Sequence, residues 1–189
     1  MLSVLIGFLG GISAVIIKNS VHFIQELITT GFTKNIHNYL YFIFPLVGLF
    51  LTYLIIKYIL KKPVGHGVSG VLYAISKKNS IIKFFGVYSS IITSALTVGF
   101  GGSVGLEGPT VGTSSAVGSN VGRLFKLDYK TTTLLIGCGA VGAMSGIFNA
   151  PIAALVFALE VFMFDLTLAS MIPFLVASVS AALTSRMMK

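Results

Sequence analysis

The chain has 189 residues, 55% of them hydrophobic and only 10% charged, and its mean hydropathy of +0.96 lies far outside the range of water-soluble domains. Thirteen Lys and Arg against five Asp and Glu leave a formal charge of +8. The cations sit at the ends of apolar segments with no basic stripe interleaved with aromatics, which argues for bilayer orientation and against nucleic-acid binding.

Residues 2–17 are apolar, with Gly7, Gly10 and Gly11, and continue into the amphipathic run 21–30. Together they predict one long or tilted span whose glycines permit close helix packing. No charged leader region or clear small-residue cleavage site precedes Lys18, so this start is expected to be a mature membrane segment rather than a removed signal. Residues 35–38 form a polar turn. Residues 39–60 then supply about 20 apolar positions, enough to cross a hydrocarbon core of roughly 30 Å.

Lys57, Lys61, Lys62, Lys77, Lys78 and Lys83 make the densest cationic region of the chain. The positive-inside rule places that region in the cytoplasm, and counting back two spans places the amino terminus there too. The enclosed segment 63–76 is too short to span; Gly65-His66-Gly67-Val68 marks it as a glycine-rich approach to a short re-entrant helix.

The apolar run 84–98 ends in Gly99-Phe100-Gly101-Gly102-Ser103, where a helix is hard to maintain. Gly105-Leu106-Glu107-Gly108-Pro109 follows, and Pro109 suits the first turn of a helix over 109–125. After a polar connection at 126–130 comes a small-residue helix over 131–145, containing the single Cys138. One cysteine excludes an intrachain disulfide, and its surroundings read as a small packed side chain without metal-ligand spacing. Ile147-Phe148-Asn149-Ala150-Pro151 breaks that helix, a new one over 151–164 carries Glu160, and a final span covers 166–187. Short helices separated by glycine and proline breaks characterise channels and secondary transporters. The expected fold is therefore an all-α, multi-pass integral membrane protein with broken and re-entrant helices.

Glu107 is the lone carboxylate between residues 89 and 122. An acid at membrane depth costs about 2.5–3.5 kcal/mol on insertion scales unless it meets a partner or a watery cavity. Three breaks open a helix amino terminus: at Gly65 to Ser69, at Gly105 to Pro109 and at Asn149 to Pro151. Each such end presents unpaired N–H groups and roughly half a positive charge. Two of them aimed at one point would hold an anion without a full cation, and so release it quickly. An ionised Glu107 competes with an anion for those donors, whereas a protonated one swings away, which makes it a gate. The plainer alternative for each break is a bend that packs irregular helices. Glu160 either serves the pathway or, near a helix end, reaches an interface and accepts a backbone or Ser hydrogen bond; His66 either donates an N–H to an anion, titrates near neutral pH, or is a cap or interfacial polar residue. Tyr73 and the 15 Phe read as lipid-facing or packing groups. No Ser, His and Asp cluster, zinc signature or Walker spacing is present, so neither an enzyme, a cofactor nor a metal is expected.

These residues carry a family resemblance. Gly105-Leu106-Glu107-Gly108-Pro109 resembles the Gly-Lys/Arg-Glu-Gly-Pro motif of the CLC chloride channels and chloride/proton exchangers. Phe148-Asn149-Ala150-Pro151, followed by Phe157-Ala158-Leu159-Glu160, looks like that family's Phe-Asn-Ala-Pro segment and the acidic helix after it. Gly65-His66-Gly67-Val68 is similar to its first anion-binding loop, Gly-Ser-Gly-Ile-Pro.

The resemblance implies a homodimer with one anion pathway per subunit and makes Glu107 the gating residue. It places the amides of Leu106, Glu107 and Gly108 at the outer anion site, and Gly65, His66 and Gly67 at the inner one. Glu160 then belongs to a proton path, and Arg123 is structural. Leu106 departs from the motif's basic residue, His66 from its serine and Ser69 from its proline. Val161 stands where proton-coupled exchangers often carry a second glutamate. Residues 1–189 correspond to one transmembrane domain, the first of the family's two inverted repeats, with the second absent. The expected function is passive movement of chloride or a similar small anion. The alternatives are an incomplete or split subunit with an assembly role, completed by a second polypeptide, a proton-coupled or fluoride-selective relative, and an intramembrane enzyme.

Overall fold

A computed structural model describes residues 1–32, 43–61, 67–162 and 167–188, and every regular element among them is helical. The predicted turn at 35–38 and the residues Gly65 and His66 lie outside the described residues.

α1 (Leu2–Phe32) is one uninterrupted helix, as the continuous apolar pattern predicts. α2 (Phe44–Leu54) opens with Pro45 in its first turn and widens into a π-helical turn at Ile55–Leu60. α3 (Gly67–Lys77) has 11 residues. At 1.5 Å per residue it is roughly 16 Å long, about half a hydrocarbon core, which is the dimension expected of the re-entrant segment.

α4 (Phe85–Gly99) ends where the glycines cluster. The N–H of Gly102 donates to the carbonyl of Thr97 and that of Gly101 to Val98, both at 2.9 Å. Gly101 takes φ +89 in this Schellman-type stop, a conformation open to glycine and strained for other residues. α5 (Glu107–Leu124) begins two residues before the predicted Pro109. The reason is Leu106, whose carbonyl accepts both the N–H (3.1 Å) and the hydroxyl (2.7 Å) of Thr110.

α6 (Tyr129–Phe148) overruns the predicted 131–145 at both ends. Asp128 at the N-cap starts it, and Asn149 in the left-handed region (φ 53) stops it. α7 (Pro151–Phe162) follows the break, and α8 (Leu168–Met187) completes the described chain.

α6 is the centre of the bundle. Its residues from Leu135 to Gly146 are all buried, and α1, α5, α7 and α8 pack around it. Small residues make this possible. A methyl placed on Gly10 would lie 3.4 Å from Cα of Gly142, so the α1 and α6 backbones approach to contact. Hydroxyls inside the bundle pair with one another or with carbonyls. Ser13 meets Ser114 at 2.6 Å, Ser145 donates to the Ser178 carbonyl at 2.6 Å and Ser185 to that of Gly146 at 2.7 Å. In a lipid environment no water would satisfy them, so these bonds pin helix to helix.

Large apolar side chains point outward: Val4, Phe8 and Phe23 on α1, and Leu46, Phe50 and Tyr53 on α2. Three segments, Leu2–Ile28, Tyr129–Phe148 and Ala169–Met187, are long and apolar enough to cross a membrane. An apolar exterior around a small-residue interior is the pattern of a multi-pass membrane protein.

Candidate anion site

α3 and α5 meet at their amino termini. A methyl on Gly67, the first residue of α3, would lie 3.0 Å from the carbonyl carbon of Gly108 and 3.1 Å from its Cα. One on Gly112 would lie 3.4 Å from Cα of Gly67. Gly67 also has φ +56, so glycine is required there by conformation as well as by space. Gly108 and Gly112, one helical turn apart, form the small-residue groove into which the start of α3 fits.

The donors at this junction follow from the chain. Thr110 is the first residue of α5 whose N–H reaches back, to Leu106, and Pro109 has none. The amides of Leu106, Glu107 and Gly108 therefore have no intrahelical partner. Leu106 at the N-cap position offers no side-chain oxygen to occupy them. A helix N-cap left without its usual Ser, Thr, Asp or Asn keeps its N–H groups open to a ligand.

The carboxylate of Glu107 folds back over the preceding loop. A methyl on Gly105 would overlap its Oε2 and lie 2.8 Å from its Cδ. Gly105 thus provides the seat for this side chain, and Glu107 is half-buried at the first turn of α5.

Of the three helix starts singled out by sequence, the structure brings two together. The third, at Pro151, packs with its helix on α6 and α8. There the Oδ1 of Asn149 is buried without a hydrogen-bond partner. Glu160 is exposed on α7, while Val161 packs against the bundle core. Arg123 is exposed in the last turn of α5, where a cation complements the helix dipole. Among the described residues no group of His, Cys, Asp and Glu could hold a metal ion. Sequence reasoning missed Gly105 as the carboxylate's seat and Gly112 as half of the α3 groove; the four-residue spacing of Gly108 and Gly112 was the available signal.

Residues 47–189 match the family described as voltage gated chloride channel. An uncharacterized protein of Methanocaldococcus jannaschii is 32% identical over 178 residues, covering 93% of this chain and 40% of that protein. An H(+)/Cl(-) exchange transporter of Vibrio cholerae is 26% identical over 200 residues, covering 98% and 41%. Among solved structures, a CLC-type fluoride/proton antiporter superposes with a TM-score of 0.79 at 28% identity, over 99% of this chain and 46% of that one. A slow cyanobacterial Cl-/H+ antiporter superposes with 0.81 at 20% identity, over 100% and 46%, which is a likeness of fold. The chain spans less than half the length of these relatives.

Proposed function

The chain belongs to the voltage-gated chloride channel family, and from that premise we propose that it forms part of a pathway for chloride or a similar small anion, gated by Glu107. The observation that carries this reading is the meeting of two helix amino termini at Gly67 and Gly108, with Glu107 in the first turn of one of them.

Each helix end contributes roughly half a positive charge, so the junction attracts an anion with about one charge in total and no lysine or arginine. The open amides of Leu106, Glu107 and Gly108 are the donors. The Glu107 carboxylate is drawn by the same field and competes with the anion for the same N–H groups. Protonation removes its charge and hence its claim on them, leaving the anion in place. Gly65 and His66 are proposed as the inner flank of the site, with Gly67.

The chain would correspond to one of the two repeats of its relatives, and the complete pathway would take a second repeat, a homodimer, or both. Passive flux is favoured by Val161, an apolar residue packed against the core beside the exposed Glu160. Proton-coupled exchange is the second reading, because the Vibrio cholerae relative is named as an exchanger.

Anion efflux from reconstituted vesicles tests the gate. Glu107→Gln should change the flux and flatten its pH dependence, and a variant indistinguishable from the parent in both would refute it. In the same vesicles a chloride gradient should drive no uphill proton movement; if it does, the exchange reading replaces the passive one.

A further inference from the structure

α3 and α4 are joined by a turn at the edge of the bundle where α5 ends and α6 begins. It contains two successive left-handed residues, Asn79 (φ 47) and Ser80 (φ 59), a conformation that costs non-glycine residues energy. Neighbouring helices hold it there. The Ser80 hydroxyl meets Thr133 Oγ1 at 2.6 Å, and the Ser80 carbonyl accepts the Ser119 hydroxyl at 2.6 Å. Ser119 Oγ accepts the N–H of Ile82 at 2.9 Å, and Asn120 donates to the Ile82 carbonyl at 3.2 Å. The Tyr129 hydroxyl donates to the Ile75 carbonyl at 3.0 Å. A strained turn fastened from several directions is a rigid platform.

That platform carries a pocket of about 870 Å³. Its floor is apolar, from Ala74, Ile82, Phe85 and Gly86, and its mouth holds Lys78 and Lys83. Both lysines are exposed, and Lys78 Nζ lies 5.2 Å from the centre of the exposed Tyr73 ring. The chain contains no acid between Glu26 and Glu107, the stretch that holds both lysines. Phe85 and Tyr88 pack edge to face at 5.1 Å on the first turn of α4, as aromatics do at a membrane interface.

We propose that this pocket binds an anionic phospholipid, its phosphate held between Lys78 and Lys83 and an acyl chain lying in the apolar floor. A free phosphate would satisfy the lysines and leave that floor empty. A zwitterionic lipid would fill the floor and repel the lysines with its own cation. Only an anionic lipid matches both halves of the pocket.

Native mass spectrometry of the purified chain tests it, with phosphatidylglycerol and phosphatidylcholine as probes. Phosphatidylglycerol should be retained preferentially, and Lys78→Gln with Lys83→Gln should weaken that retention by about fivefold per lysine. Gly86→Leu supplies the second arm, because a side chain at Gly86 meets nothing within 4 Å and would grow into the pocket while sparing both lysines. It should abolish the preference. Lys57→Gln, outside the pocket, should leave it unchanged. Equal retention of the two lipids, an unaffected lysine double variant, an equal loss in Lys57→Gln, or displacement by millimolar inorganic phosphate would each overturn the proposal.

Discussion

Gly67 of α3 and Gly108 of α5 touch backbone to backbone, so closely that a single methyl on Gly67 would sit 3.0 Å from the Gly108 carbonyl. Two dipoles of like sign are held end beside end, an arrangement that repels itself until an anion or a carboxylate neutralises it. Glu107 lies next to Gly108 on the same turn, its carboxylate folded back against Gly105.

Gly67→Ala is expected to lower stability by about 1–3 kcal/mol, from its φ of +56 and from the collision with Gly108 together. It should also weaken anion flux, because the two helix ends separate. Thermal unfolding in detergent and vesicle efflux report the two effects; unchanged flux in a folded variant would remove the junction from the pathway.

Gly105→Ala puts a methyl where the Glu107 carboxylate rests. The side chain is then driven off the α5 amino terminus, and the flux should resemble that of Glu107→Gln. Because both changes act on one contact, the double variant should add nothing to either single one. Additive effects in that cycle would mean that Gly105 acts on something other than the gate.

Glu160→Gln should leave both the anion flux and its pH dependence as they are, since this side chain is exposed on α7 and Val161 beside it packs inward. A pH dependence lost in this variant would put Glu160 on a proton path after all.

Packing is tested by two glycines that differ only in what surrounds them. A methyl on Gly118 would lie 2.8 Å from the Leu135 carbonyl carbon and 3.2 Å from Cα of Ile136, whereas one on Gly86 meets nothing within 4 Å. Gly118→Val should therefore force α5 from α6 and cost about 1–3 kcal/mol. Gly86→Ala, in a helix with room to spare, should be neutral or stabilising by about 0.4–1 kcal/mol. Melting temperatures that move together would contradict this account of the core.

Asp128, fully exposed at the N-cap of α6, has its carboxyl held below the usual 3.8, first by the side chain of Thr131 and then by backbone N–H groups. A depressed value in the folded state means stability that is present above 3.8 and is lost as the pH falls through the lower folded value. Asp128→Asn keeps the size and shape of the side chain and removes the charge. Its melting temperature should fall below that of the parent at neutral pH, and the gap should close in acid below 3.8. A gap of constant size across that range would exclude the carboxylate as its source.

Much of this fold was legible in the chain. Apolar runs bounded by glycine and proline gave the order and type of each helix, because backbone breaks are local properties of a few residues. Boundaries slipped where a neighbour decided them: the Leu106 carbonyl started α5 early by accepting twice from Thr110, and Asn149 carried α6 to Phe148 by adopting a left-handed turn.

By itself the sequence determined the membrane class, the broken-helix pattern and Glu107 as the acid that needs a reason. Hydropathy and chain breaks depend on residue type and order alone. Only the tertiary structure decided which helix starts meet, that Gly105 seats the carboxylate, and that Lys78 and Lys83 share a pocket with an apolar floor. Those relationships join segments distant in the chain through backbone contact and shape, and neither periodicity nor composition encodes which glycine will face which.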